Sequence, residues 1–253
     1  MTIKQQFNKS RSLLSLLEEP IKLKILPQNG FNEYEGSSLY WNEKLETWVI
    51  EFVDQHNFFL IHELGHIFLA KKYNCPYFAK QSIVPVNEKV GNYNIALVDS
   101  FVNYNITRHD EIYPIFLDLV DIYLNAGTQR LDSDNLDLLM FYLNLYLDFH
   151  YCLKPEDFQK RKHNIEVFFK ELEGLILKNF SITKEILGII NKDLKKFEEY
   201  LEVEKSTTII HYIFNILKKV PYWSQSELKK NIKLIYNLKK KKTSTEKNFE
   251  IYY

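Results

Sequence analysis

Two imidazoles and a carboxylate stand in His62-Glu63-Leu64-Gly65-His66 at the spacing that zinc-dependent hydrolysis requires. On an α-helix, residues four apart lie one turn above each other, so both rings can reach a single ion. Glu63 projects along the flank of that face, where it can take a proton from a metal-activated water.

The flanking residues predict such a helix. Asp54 is a candidate N-cap, and Phe58, Phe59, Leu60, Ile61, Leu64, Ile67, Phe68 and Leu69 make the segment apolar nearly all round. Lys71 and Lys72 suit the last turn, Asn74 the left-handed cap, and Pro76 prevents continuation. A helix this apolar is buried, and burying two His and a Glu without partners costs several kcal/mol. A bound metal offsets that cost. Gly65, mid-helix, gives up about 1 kcal/mol relative to Ala, which points to another element packing closely there. The bland alternative is a buried helix with hydrogen-bonded histidines.

A catalytic zinc takes three protein ligands and keeps one position open. Asp99 and Asn103 lie one turn apart on a helical stripe with Ile95, Val102 and Ile106. A carboxylate there is out of place unless it meets a cation or strong donors. Asp99 is therefore a candidate third ligand, with Asn103 placed to hydrogen-bond a ligand His and orient its ring. Glu88, His109, Asp110 and Glu111 compete for the ligand role, and Asp99 could instead serve an ordinary ion pair. Tyr104 and His109 are candidate donors to an oxyanion.

On these residues the chain resembles the gluzincin metallopeptidases, whose His-Glu-x-x-His helix is followed by a helix bearing Glu-x-x-x-Asp. Here that second element reads Asp99-Ser100-Phe101-Val102-Asn103, departing from the family at both polar positions. Leu97-Val98-Asp99-Ser100-Phe101-Val102 is also similar to the matching stretch of small intracellular members, the minigluzincins and the ImmA/IrrE-like peptidases that cleave repressors. The resemblance covers roughly residues 38–107. It implies a zincin half-domain with a small sheet, the active-site helix and a ligand-bearing helix, and a Zn2+ cofactor held by His62, His66 and Asp99. Asp is one methylene shorter than Glu, so the second helix must sit closer or tilt. The strand around Trp48 to Phe52 takes the place of the family's rim strand, to whose edge an extended peptide could add.

The elements that must position these groups are legible in outline. Lys4 to Glu19 reads as an amphipathic helix ending before Pro20. Ile21-Lys22-Leu23-Lys24-Ile25 alternates as a half-buried strand, Pro27 and Asn29-Gly30 turn the chain, and Leu39 to Trp41 and Thr47 to Val53 read as strands joined around Asn42 to Lys44. Gln81 to Tyr93, with Pro85 and Gly91, reads as a loop or a loop with a short strand. Helical segments follow near 94–107, 110–126, 132–152, 155–179, 181–201, 205–219 and 224–240, with a polar tail from about 239. Starts are signalled at Leu131-Asp132-Ser133-Asp134 and Ser181-Ile182-Thr183-Lys184-Glu185. The fold class is thus α+β: a small N-terminal mixed sheet with the active-site helix, then a large all-helical portion. Residues 1–107 form the zincin-like core, and 108–253 complete the cleft and offer a surface for partners.

Composition narrows the functional classes. The 253 residues carry no formal net charge, so no overall field recruits nucleic acid or anionic membrane. Two cysteines, Cys75 and Cys152, are too few for a disulfide framework and fit a reducing interior. Met1 to Ser10 lacks a signal-peptide core, and the apolar run Leu136 to Leu153 is broken by Asp137, Asn144, Asp148 and His150, so it reads as a buried helix rather than a membrane span. The Lys239 to Lys242 run reads as a solvated helix end, and seven glycines with no phosphate-binding loop argue against a nucleotide fold. The expectation is a cytoplasmic zinc metallopeptidase acting on a protein or peptide. The alternative is a regulatory or interaction protein whose zincin-like core is weakly active or inactive.

Overall fold

The computed structural model describes residues 2–26, 37–53, 56–79, 88–128, 138–179, 184–201 and 206–219. Thr2 opens helix α1 (Ile3–Leu13) with a capping box, its hydroxyl accepting from Gln5 N while Gln5 Oε1 accepts from Thr2 N. The helix stops before Glu19, where the sequence pattern had placed its end. Ser15 enters the left-handed region at φ 55°, Leu16 N bonds back to Arg11 O, and the Arg11 guanidinium caps the carbonyls of Leu16, Leu17 and Glu19. Leu14 and Leu16 leave the helix to become core residues.

Strands β1 (Ile21–Leu26), β2 (Ser37–Asn42) and β3 (Thr47–Val53) form a mixed sheet in the order β1-β3-β2. β1 runs parallel to β3, with Ile21 opposite Trp48, and β2 runs antiparallel to it, with Trp41 opposite Trp48. β3 therefore lies in the centre, paired on both sides. The sequence reading offered β3 as the rim strand; among the described residues the outer strands are instead β1 and β2. A strand buried on both faces, as β3 nearly is, belongs in the middle of a sheet.

Helix α2 (Asn57–Lys72) follows at once. Its N-cap is His56, whose Nδ1 accepts from Phe58 N, while Asp54 lies outside the described residues. It ends as the sequence predicts: Asn74 takes φ 45° and Cys75 N bonds back to Ala70 O. Helix α3 (Glu88–Ile106) starts earlier than predicted, so Glu88 to Tyr93, assigned above to a loop, is its first turns. α3 packs against α2 with no room for a side chain at Gly65. A Cβ there would stand 2.5 Å from Val102 Cγ1 and 2.8 Å from Ile106 Cγ2.

Helices α4 (Tyr113–Ala126), α5 (Leu138–Leu147), α6 (Pro155–Asn179), α7 (Lys184–Leu194), α8 (Glu198–Leu201) and α9 (Ser206–Leu217) complete the described chain. The result is α+β and mostly helical, with one small mixed sheet near the N-terminus. α3 runs through the interior, touching α2, α5 and α9, and Phe197 fills the space between Phe101, Tyr151 and Tyr212. The run read as one helix over 132–152 changes geometry at Asp148, where a π-helical turn (Asp148–Cys152) succeeds α5. The expected turn at Pro27 and Asn29-Gly30, the helix start at residues 131–134, the helix over 224–240 and the tail lie outside the described residues. Among the described residues, no helix is long and apolar enough to cross a membrane.

Candidate metal centre

His62 and His66 lie on the same face of α2, with ring centroids 4.7 Å apart, and α3 brings Asp99 across to them. His66 Nε2 stands 3.0 Å from His62 Nε2, and Asp99 Oδ1 stands 3.1 Å from His66 Nε2 and 3.5 Å from His62 Nε2. Ligand atoms held 2.0–2.1 Å from a tetrahedral ion are separated from one another by about 3.3 Å. The three atoms thus sit at the separations of one tetrahedral face.

The far side of each ring fixes which nitrogen faces the cluster. His66 Nδ1 lies 2.6 Å from the carbonyl oxygen of Phe78, which can only accept, so Nδ1 carries the hydrogen. His62 Nδ1 lies 2.7 Å from Asn103 Oδ1, while Asn103 Nδ2 donates to Asp148 Oδ2 at 2.7 Å. That pairing turns the Asn103 oxygen towards His62, so His62 Nδ1 is also a donor. In their neutral forms both rings then present an Nε2 lone pair to each other and to a carboxylate. Asp99 Oδ1 is buried and, apart from the two imidazole nitrogens, has no polar partner among the described residues. A cation at that point, whether a proton or a metal ion, would offset the convergence of three acceptors.

Without a metal, a proton fills that role. Burial lowers the His62 pKa, but the adjacent Asp99 carboxylate, helped by Glu63 and Asn103, outweighs it and raises the value to about 9. Burial likewise raises Asp99, yet the two imidazoles hold its carboxyl well below the usual carboxylate range.

Glu63 is buried beside the cluster, and its Oε1 accepts a 2.8 Å hydrogen bond from Ser37 Oγ at the start of β2. Among the described residues the other carboxylate oxygen has no hydrogen bond. Ser37, Glu63, His62 and Asp99 line a cleft of about 240 Å³ with Asn103, Asn144 and Asp148. Its apolar walls come from Phe58 and Phe59 of α2, Phe116, Leu119 and Val120 of α4, and Leu145 and Phe149. Residues on both sides of position 107 therefore build it.

The rival third ligands fare differently. Asp110 is at the surface against Lys154 and Glu111 is half-exposed against Lys9, while His109 packs on Phe68. The Glu88 side chain lies outside the described residues. Tyr104 and His109, the candidate oxyanion donors, do not line the cleft: Tyr104 lies under the Arg108 guanidinium and edge-on to Phe197. The cleft phenol is instead Tyr123, which burial pushes up to about 12, so it remains a donor at neutral pH. Ile95, grouped above with Asp99, is 37% exposed and stands off the buried stripe.

Four groups at or beside the site escape the sequence reading: Ser37, the Phe78 carbonyl, Tyr123 and Asp148. Only Asp148 left a signal, as a carboxylate interrupting an apolar run, where burial pushes its pKa up to about 7 against the pull of Asn103 and His62. Compared with family models, curated proteins and solved structures, the chain matches none of them.

Proposed function

We propose that this chain is a zinc metallopeptidase of the zincin type, related in arrangement to the gluzincins, with His62, His66 and Asp99 as the zinc ligands. The observation that carries the reading is the convergence of His62 Nε2, His66 Nε2 and Asp99 Oδ1 at 3.0, 3.1 and 3.5 Å with both Nδ1 hydrogens turned away. Two nitrogens and one carboxylate oxygen form the donor set of catalytic rather than structural zinc sites.

Zinc bound there would polarise a scissile carbonyl and acidify the attacking water. Glu63 accepts that water's proton on the oxygen that Ser37 leaves free and returns it to the leaving amine. Tyr123, from the cleft wall, is the phenol available to donate to the developing oxyanion. The sheet supports a peptide substrate. Among the described residues β2 is an outer strand, and its first residue touches Glu63, so an extended chain pairing along β2 would run past Glu63.

The reading of an inactive, purely regulatory core gains no support from the site, because a structural zinc has no use for a carboxylate oriented as Glu63 is. The departures at Asp99 and Asn103 are no defect either: the shorter arm of Asp99 reaches the cluster because Gly65 lets α3 approach α2 closely. The test is hydrolysis of casein or a mixed peptide library by the zinc-loaded protein, beside Glu63→Gln. Cleavage by the parent that falls at least about a hundredfold in the variant supports the proposal. Equal cleavage by both removes Glu63 as the base.

A further inference from the structure

Asp148 has no place in the chemistry above, yet it is buried at the cleft wall, and a carboxylate is not placed there without a function or a cost. It opens the π-helical turn Asp148–Cys152, a geometry rare in proteins and frequent at functional sites. Its Oδ2 accepts from Asn103 Nδ2 at 2.7 Å, and its Oδ1 has Cys152 Sγ at 3.8 Å, a long and weak contact. Asn103 in turn contacts His62. A continuous chain of side chains therefore runs from the π turn through α3 to the metal-facing ring on α2.

We propose that Asp148 is a positioning residue for the His62 ligand, holding the Asn103 amide so that its oxygen faces His62 Nδ1. The chemistry lies in the asymmetry of an amide. A side-chain amide can present either its oxygen or its nitrogen to a neighbour, and the two faces have nearly the same shape. Facing His62, the oxygen selects the tautomer with hydrogen on Nδ1 and a lone pair on Nε2. The nitrogen would select the reverse, with hydrogen on Nε2, which cannot ligate. Asp148 decides between them because a carboxylate accepts from Nδ2 and repels Oδ1. Carboxylates that act on metal-bound histidines usually bond the ring directly. Here the carboxylate acts one residue removed, through an asparagine.

This inference rests on the zinc reading, and its test reads zinc affinity by chelator competition on the purified full chain, with thermal melting of the zinc-free protein as the control for folding. Asp148→Leu fills a similar volume without an acceptor, and its zinc affinity is expected to fall about 10- to 100-fold, the scale of losses beyond the ligands themselves. Asp148→Asn, which keeps an acceptor oxygen, is expected to stay within about threefold of the parent. Because Asp148 acts through Asn103, Asp148→Leu in an Asn103→Ala background is expected to add less than about threefold to the loss from Asn103→Ala alone. A merely structural role would not produce that pattern. Should Asp148→Leu fail to fold, the exchanged pair Asn103→Asp with Asp148→Asn replaces it, since it preserves a donor and an acceptor along the chain and is expected to bind zinc as the parent does. A folded Asp148→Leu with parental affinity overturns the inference, as does a full additive loss in the Asn103→Ala background, or an exchanged pair that folds and loses zinc more than about tenfold. A parent that binds no zinc overturns the proposed function as well, whereas a zinc-binding parent with unaffected variants overturns this inference alone.

Discussion

Ser37 Oγ donates to Glu63 Oε1 across 2.8 Å, tying strand β2 to the proposed base on α2. The bond fixes the Glu63 rotamer and assigns one of its oxygens, so the geometry of proton transfer depends on a residue in β2. Ser37→Ala is expected to lower kcat about 10-fold or more while leaving zinc affinity close to the parent's, because the serine touches the base and not the ligands. Steady-state kinetics with zinc titration checks this. An unchanged kcat would show that Glu63 needs no such anchor.

In the proposed site Asp99 would supply the anionic ligand. Asp99→Ala is expected to weaken zinc binding by well over the 10- to 100-fold scale of losses beyond the ligands, because it removes the charge and opens a second coordination position. Asp99→Glu is expected to retain some zinc with altered kcat, since its longer arm must be absorbed between helices already in contact at Gly65. Chelator competition on both variants gives the order parent, Glu, Ala.

Gly65 sets the distance between the ligand-bearing helices. A Cβ there meets Val102 and Ile106 at under 3.0 Å, so Gly65→Ala gains helix propensity but forces α3 away. The expected net is a destabilisation of about 1–3 kcal/mol by denaturant melting, with weaker zinc binding as Asp99 is carried off. Val102→Ala added to Gly65→Ala should recover part of both, because Val102 Cγ1 is the nearest clash.

The raised His62 pKa gives a pH dependence whose sign can be worked out. His62 is raised from its ordinary 6.5 to about 9 in the folded, metal-free protein. Its contribution to metal-free stability is therefore complete below pH 6.5 and lost as pH rises towards 9. Asp99, held low, contributes above its ordinary pKa and loses that contribution only in acid. Zinc must displace the His62 proton, so zinc affinity should rise with pH up to about 9, and binding at pH 7 should release about one proton. Calorimetric titration in buffers of different ionisation enthalpy measures that count.

His62 and His66 could be picked out because a helix imposes its period on chemistry and places them on one face, and Asn74 was the candidate for the left-handed cap that it takes. Asp99 and Asn103 could be picked out because polar groups on an apolar stripe need partners. That Asn103 also bonds Asp148 was not legible, since the two lie 45 positions apart with no local signature. The sheet order escaped for a related reason. β3 reads the same whether it is paired on one side or two, and only the parallel pairing with β1 places it in the centre. Tyr104 and His109 do not line the cleft; they pack instead against the Arg108 guanidinium and Phe68.

The most direct measurement is elemental zinc per chain after reconstitution and desalting, for the parent and for His62→Ala. The expected result is about one zinc per parent chain and far less than one for His62→Ala, with the parent's melting temperature falling on chelation. A parent that emerges metal-free, melting identically with and without chelator, would contradict the assignment of His62, His66 and Asp99 as a zinc site.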